Sequence, residues 1–169
     1  CRVPVSSYNP ALSIMAERLR FKVADDASET EQIFRLGYET FVEEIPQHPP
    51  NPDRRHVDRF HDENTYLIAS DGPAVVGMLA VRSQRPFSLD EKLGGVDAYL
   101  PPGRRTCELR LLAVRPAHRR GVVFRGLIDL LLAHGRDRGY DLAIISGTLR
   151  QAKLYRHLGF EPFGPIVGT

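Results

Sequence analysis

Cysteine is scarce in this 169-residue chain: only Cys1, in an irregular opening stretch, and Cys107, at the head of a buried-looking strand, are present. Neither a disulfide framework nor a Cys-rich metal site can be assembled from them, and a reducing, cytoplasmic setting is expected. Long apolar runs are also lacking. The richest window, Leu127 to Ala133, falls far short of the ~20 residues that cross a bilayer, and the first residues show no basic-then-apolar leader pattern, so no membrane partner is expected. The 23 Lys and Arg against 21 Asp and Glu leave a net charge of +2, too little to argue for nucleic acid. Histidines at metal-ligand spacing are missing too: His56 and His61 are five apart, and His118, His134 and His157 fall on separate elements, so no metal is expected. Without a Gly-x-Ser-x-Gly elbow or a phosphate loop ending in Gly-Lys-Ser/Thr, hydrolase and nucleotidase readings lose their usual support.

What is present is an uneven distribution of charge. Eleven acids against four bases lie between Asp25 and Glu63, and the balance reverses between Arg104 and Arg138. An acidic front suits an amine-bearing substrate, and a basic middle suits phosphate or an acidic carrier protein. The length suits one domain. Residues 1–16, with Pro4, Pro10 and several serines, read as an irregular N-terminal arm, and 17–169 as the domain.

Arg18 to Ala24 alternates as a first strand, and Asp25 or Ser28 caps a helix through Phe41. Pro46, Pro49, Pro50 and Pro52 then enforce a long loop. Asp71-Gly72-Pro73 joins Thr65–Ser70 and Ala74–Arg82 as a hairpin, and Gly94 to Gly103 marks an irregular crossing. The remainder alternates: strand Cys107–Val114, helix Gly121 to Arg138, strand Asp141–Ser146, short helix Leu149–Leu158, and at most one strand from Phe160. A meander followed by alternation predicts an α/β (α+β) fold, a central mixed β-sheet flanked by helices.

The stretch Glu108-Leu-Arg-Leu-Leu-Ala-Val-Arg-Pro-Ala-His-Arg-Arg-Gly121 joins a strand to a helix through a proline-arginine loop. A helix start exposes unpaired N–H groups and positive dipole ends, and Arg115, Arg119, Arg120 and Arg125 surround it, so an anionic ligand is expected there. Glu108 and Arg110 share a strand face by alternation, where a carboxylate accepts a proton from an ammonium directly or through water.

This corner, with the run Leu154-Tyr-Arg-His-Leu-Gly-Phe160, resembles the GCN5-related N-acyltransferase superfamily over roughly residues 18 to 163. The resemblance implies that the loop and helix start, Arg119, Arg120, Gly121, Val122, Val123 and Phe124, hold the pyrophosphate of an acyl-pantetheine donor. It further implies that backbone N–H groups near Leu112, Ala113 and Val114 polarise the thioester carbonyl, and that Tyr155 protonates the leaving thiolate. The family's loop carries Gln or Arg, then Gly, then Gly or Ala where this chain has His118, Gly121 and Val123, and no Asn precedes Tyr155 after Asn64. Superfamily members finish with two strands after the tyrosine helix, so the final strand is expected to be missing from the chain or supplied by a neighbouring copy.

Tyr38-Glu-Thr-Phe-Val-Glu-Glu44, Asp53 and Asp58 in the loop, and Glu108 on the fourth strand are similar to the branch of N-acyl amino acid synthases and acyl-homoserine lactone synthases. That branch carries Glu, two residues, then Arg on its fourth strand, whereas Leu111 stands at the arginine place here. The resemblance implies an acceptor site from Phe41, Glu43, Asp53, Asp58 and Arg110, with Glu108 and Tyr155 catalytic. The donor is then acyl-CoA or acyl-ACP, a 4′-phosphopantetheine thioester, and the acceptor a small-molecule amine such as an amino acid. Phe41, Val42, Ile45, Leu79 and Val81 are expected to line an acyl tunnel. Alternatives are an acetyl-CoA-dependent N-acetyltransferase and a non-catalytic acyl-pantetheine-binding module; acyl carrier protein, a homodimer or fusion to another enzyme domain are expected associations.

Overall fold

The computed structural model describes residues 18–167; the arm expected over 1–16 and Cys1 lie outside them. Strand β1 (Leu19–Val23) leads to helix α1 (Ala27–Tyr38), whose N-cap Asp26 accepts the Glu29 N–H at 2.8 Å. The helix widens into a π-turn (Glu39–Glu44) rather than stopping at Phe41. Strands β2 (Thr65–Asp71) and β3 (Ala74–Arg82) form the expected hairpin, turning at Gly72 with φ +59°. Short helix α2 (Ser88–Leu93), strand β4 (Thr106–Val114), long helix α3 (Val122–Arg138), strand β5 (Leu142–Ile145) and helix α4 (Ala152–His157) follow.

The sheet runs in the order β1-β2-β3-β4-β5, antiparallel except for the parallel β4–β5 pair. Two apolar layers cover it. Leu67, Leu79, Val81, Leu109 and Val114 meet Val123, Leu127 and Leu131 of α3 on one face. Ile68, Met78, Ala80 and Ala113 meet Ile33, Phe34 and Leu36 of α1 on the other, where Phe87, Leu89 and Val96 also close over Ile144 of β5.

Helix α2 lies just ahead of the irregular crossing at Gly94 to Gly103, where no element was expected; Asp90 accepts the N–H groups of Phe87 at 2.6 Å and Val96 at 3.0 Å and so holds both ends of a six-residue turn. One expectation requires correction. No strand forms from Phe160: its N–H closes onto the Tyr155 carbonyl, and Pro162 and Pro165 lack ladder donors. Among the described residues β5 is the last strand, and no described strand pairs with its outer edge.

Helix α3 lies so close to β1 that a Cβ at Gly126 would fall 2.1 Å from the Phe21 ring, whereas one at Gly135 of the same helix meets nothing within 4 Å. Gly126→Ala is therefore expected to destabilise by about 1–3 kcal/mol through overpacking, and Gly135→Ala to stabilise by about 0.5–1 kcal/mol through helix propensity. Denaturant unfolding of the two variants checks the opposite signs.

Candidate active site

Strand β4 carries an irregularity at its middle. Ala80 pairs with Arg110 and Met78 with Ala113, so Leu111 and Leu112 together oppose Leu79, and Leu111 takes φ +55°. A left-handed leucine is strained by about 1–3 kcal/mol, and the bulge absorbs it by re-aiming the strand. Pairing with β5 ends at Leu109 opposite Ile145, while β4 continues to Val114. The β5 side of residues 110–114 is therefore a stretch of sheet edge without a strand partner.

That edge runs into the turn Pro116–His118 and the start of α3. Gly121 (φ +94°) is the N-cap, no side chain caps the helix, and no acid stands in its first turn. The N–H groups of Val122, Val123 and Phe124 thus open a cationic helix end. Val123 replaces a small residue of the superfamily loop but does not obstruct it; its side chain is buried against Gly77, where a Cβ would lie 2.7 Å from a Val123 methyl. The two arginines expected on phosphate differ. Arg119 grips Glu44 with two 2.6 Å bonds and the Val114 carbonyl at 2.7 Å, and this grip holds the Glu44 carboxyl below its usual range. Arg120 is exposed and has no ion-pair partner among the described residues. Arg115 holds Glu39 at 2.8 Å, so two ion pairs strap the π-turn across the end of β4.

On the α1 face the expected acceptor residues separate. Asp58 is 6% exposed and bonds Arg110 at 2.6 Å and Asn64 at 2.8 Å, with the Phe60 N–H at 3.3 Å. Burial pushes its carboxyl up, but these donors, Arg110 first, hold it below the ordinary carboxylate value. Phe60 lies beneath the guanidinium groups of Arg110 at 4.9 Å and Arg82 at 3.8 Å. Glu43 pairs with Arg54 at 2.7 Å, and Asp53 is exposed; neither joins Asp58. Phe41 packs on the α1-side cluster beside Leu111. Leu79 and Val81 cannot line a tunnel with Phe41, since the pleat sends them to the opposite face against α3.

Glu108 has no exposed surface. Its carboxylate accepts from the Ser88 hydroxyl, the Ser88 N–H at 3.0 Å and the Leu89 N–H at 3.3 Å, with Arg82 and Arg110 at 3.8 and 3.9 Å. It holds the N-terminus of α2 and stands behind Arg110. Arg82 in turn bonds Glu63 and the Pro86 carbonyl. Tyr155 of α4 is packed against Gly147, just beyond β5, where a Cβ would lie 2.3 Å from its ring, and edge-on to Phe160 at 6.0 Å. Burial raises its hydroxyl above the ordinary value, so it is protonated at neutral pH. An open cleft of about 590 Å³ lined by Ser83, Phe87, Leu100 and Thr106 lies at the opposite end of β4 and shares no residue with this arrangement.

The sequence pattern does not single out Asn64 and Phe60, which touch the Asp58–Arg110 pair, Arg82, which shares Phe60 with Arg110, or His56, which feels the charges of both Asp58 and Arg110. The histidine reads from sequence as a candidate metal ligand or part of the basic cluster Arg54-Arg55-His56, and nothing local marks the others. Among the described residues the one group of acids close enough for a metal, Asp25, Asp26 and Glu29, sits apart at the start of α1, with Lys22 on Asp25 at 2.6 Å.

A mixed sheet with a bulged fourth strand, splayed from the fifth above an uncapped helix start, defines the GCN5-related N-acyltransferase fold. The family model of the N-acyl amino acid synthase FeeM matches residues 32–167, and the chain belongs to that family. A CoA-dependent acyl-homoserine lactone synthase, BjaI, solved with SAM and isopentyl-CoA, superposes with a TM-score of 0.67 at 25% identity, over 78% of this chain and 65% of that one. Glucosamine-6-phosphate N-acetyltransferase from Arabidopsis thaliana shares the fold at TM-score 0.58 and 12% identity, over 89% of this chain and 97% of that one. N-acetyltransferase family 8 member 2 of Rattus norvegicus is 27% identical over 103 residues, 59% of this chain and 40% of the relative. The chain thus spans about two fifths of the length of the curated relative it matches.

A carboxyl with a lowered pKa in the folded state contributes stability that is complete above its unfolded value, about 3.9, and is lost as pH falls through the folded value. Asp58→Asn also leaves Arg110 without its partner, for which about 3–5 kcal/mol is expected near neutrality. The difference in unfolding free energy between parent and variant should be constant above about pH 5 and shrink below about pH 4. Urea titrations across that range measure it.

Proposed function

We propose that this domain moves an acyl group from a 4′-phosphopantetheine thioester, as acyl-CoA or acyl-ACP, to the amine of a small molecule such as an amino acid, by direct attack without a covalent enzyme intermediate. The observation that carries this reading is the unpartnered β4 edge beyond the bulge, continuous with an uncapped helix start. Pantetheine is a chain of amides and can add to such an edge as a strand does, which brings its thioester against the backbone at Leu112, Ala113 and Val114. The pyrophosphate of a CoA donor then takes the N–H groups of Val122, Val123 and Phe124 beside Gly121, with Arg120 as its side-chain cation. Arg119 acts from its bond to Glu44, holding the loop in shape.

In this reading Tyr155 donates its proton to the departing thiolate. Asp58, with the exposed Glu43 and Asp53, draws the cationic acceptor to the α1 face, and Phe41, Val42 and Ile45 meet the acyl chain. Glu108 works through Arg110 as a positioning residue, because its carboxylate is enclosed and fully engaged. The likeness to the rat N-acetyltransferase favours acetyl transfer as a second reading. A cytoplasmic setting keeps the buried Cys107 reduced, its thiol pushed up to about 11 by burial.

Incubation with acyl-CoA and acyl-ACP donors of increasing length and an amino acid panel, read by mass spectrometry, tests the proposal. Specificity constants should climb with each methylene, by about 0.8 kcal/mol until the site is full; a flat or falling series assigns acetyl transfer. Tyr155→Phe should retain donor affinity and lose turnover by about 10²-fold. Unchanged turnover with chemistry limiting would make the tyrosine structural.

A further inference from the structure

His56 lies in the long loop, two residues before Asp58, and is fixed there by several contacts. Its backbone N–H donates to the Phe34 carbonyl at 2.9 Å, its ring stacks on His48 with centroids 4.4 Å apart, and the Phe41 ring is 6.3 Å away. It rests against Gly37 of α1, with His56 atoms 3.5 Å from where a Cβ of that glycine would stand. Its Nε2 is buried with no hydrogen-bond partner, and so are Nε of Arg110 and Oδ1 of Asn64, the two side chains that hold Asp58. Buried polar atoms are almost always paired, so two unpaired ones on the side chains that hold one carboxylate, and a third on a histidine two residues along the loop that feels the charges of Asp58 and Arg110, mark a place where a polar ligand completes the set.

The charged groups at this place have unequal capacity to take a proton. Glu108 is enclosed and engaged in three hydrogen bonds. Asp58 is held as a carboxylate by Arg110, which makes it a good electrostatic partner for an ammonium and a weak base. His56 differs: burial first, then the neighbouring charges of His48 and Arg110, outweigh the pull of Asp58 and keep its imidazole neutral at pH 7. A neutral imidazole beside an acidic acceptor site is matched to an ammonium that must lose a proton before it can attack.

From this arrangement we infer that His56 is the proton acceptor of the acyl transfer, with Asp58 holding the ammonium for it. The inference rests on the acyltransferase reading above. The acceptor's N–H bond breaks and its proton passes to an imidazole nitrogen of His56. The freed nitrogen lone pair forms the C–N bond, the nitrogen gives up a second proton to solvent, the C–S bond breaks, and the thiolate takes the Tyr155 proton. The imidazolium then releases its proton to solvent, and Tyr155 recovers one, so the net products are amide, thiol and one proton.

The test compares an amino acid acceptor, an ammonium at pH 7, with an aromatic amine that is already neutral there, in the parent and in His56→Gln. Thermal unfolding and calorimetric donor binding serve as controls. Turnover with the ammonium acceptor should fall about 10²-fold, and at least tenfold more than turnover with the neutral amine. Equal losses with both acceptors, or no loss, would overturn the assignment. In the parent, kcat for the amino acid should decline on the acid side with a midpoint below the ordinary histidine value of about 6.5, and a profile without that limb would overturn it independently of the variant. Absence of transfer by the parent with every donor and both acceptors would instead overturn the acyltransferase reading itself.

Discussion

A single leucine in left-handed conformation organises the working half of this molecule. Because Leu111 adds a residue to β4 opposite Leu79, the alternation of the strand breaks at that point, and Arg110, Leu111 and Ala113 all come to the α1 face. Without the bulge, regular alternation would send Leu111 and Ala113 toward α3, and the strand would have no local reason to leave β5. The strain is local and modest. It is held by the backbone pairs Ala80–Arg110 and Met78–Ala113 on either side, which makes it a property of the whole sheet rather than of one residue.

Charge is arranged around this bulge as a set of long-range fastenings. Three ion pairs join the acidic front to the basic middle of the chain: Glu39 on Arg115, Glu44 on Arg119, Asp58 on Arg110. The two outer pairs are partly exposed and contribute mostly geometry, fixing the π-turn over the loop before α3. The inner pair is desolvated, and its net value is small against a hydrophobic replacement but large against loss of one partner. One consequence is that, among the described residues, the helix start keeps its backbone N–H groups, Arg120 and Arg125 as its unpaired cationic features, a milder field than four arginines in sequence would suggest.

The same economy separates the two sides of the proposed reaction. Groups assigned to the thioester itself are backbone amides and a protonated phenol, which carry no charge that a thioester would have to displace. Groups on the acceptor side are a carboxylate held ionised by arginine and an imidazole held neutral by burial, a pairing that distinguishes binding of an ammonium from its deprotonation. Glu108 lies behind both, closing the N-terminus of α2 and backing Arg110, so its burial reads as support for the layer that meets substrate.

Local interactions made much of this legible from the residues alone. Helix α3 and its Gly121 start, the Asp71-Gly72-Pro73 hairpin and the Leu-Tyr-Arg-His-Leu-Gly-Phe segment each depend on neighbours within a few positions, and each was readable for that reason. Helix α2 was not, because Asp90 secures it through backbone groups rather than an apolar period. The cap of α1 falls at Asp26 rather than at the expected Asp25 or Ser28, and its position was not readable. What the tertiary structure alone decided are the partners. Arg110 meets Asp58 across 52 residues, Arg119 meets Glu44 across 75 and Arg115 meets Glu39 across 76, and no spacing rule links positions so distant. The face assigned to Phe41 against that of Leu79 and Val81, the enclosure of Glu108 and the company of His56 follow from which side of one bulged strand each element packs on. The sequence determined which residues carry chemistry; only the packed sheet decided which of them are already occupied by another side chain, because occupation depends on distance in space and local pattern carries none of it.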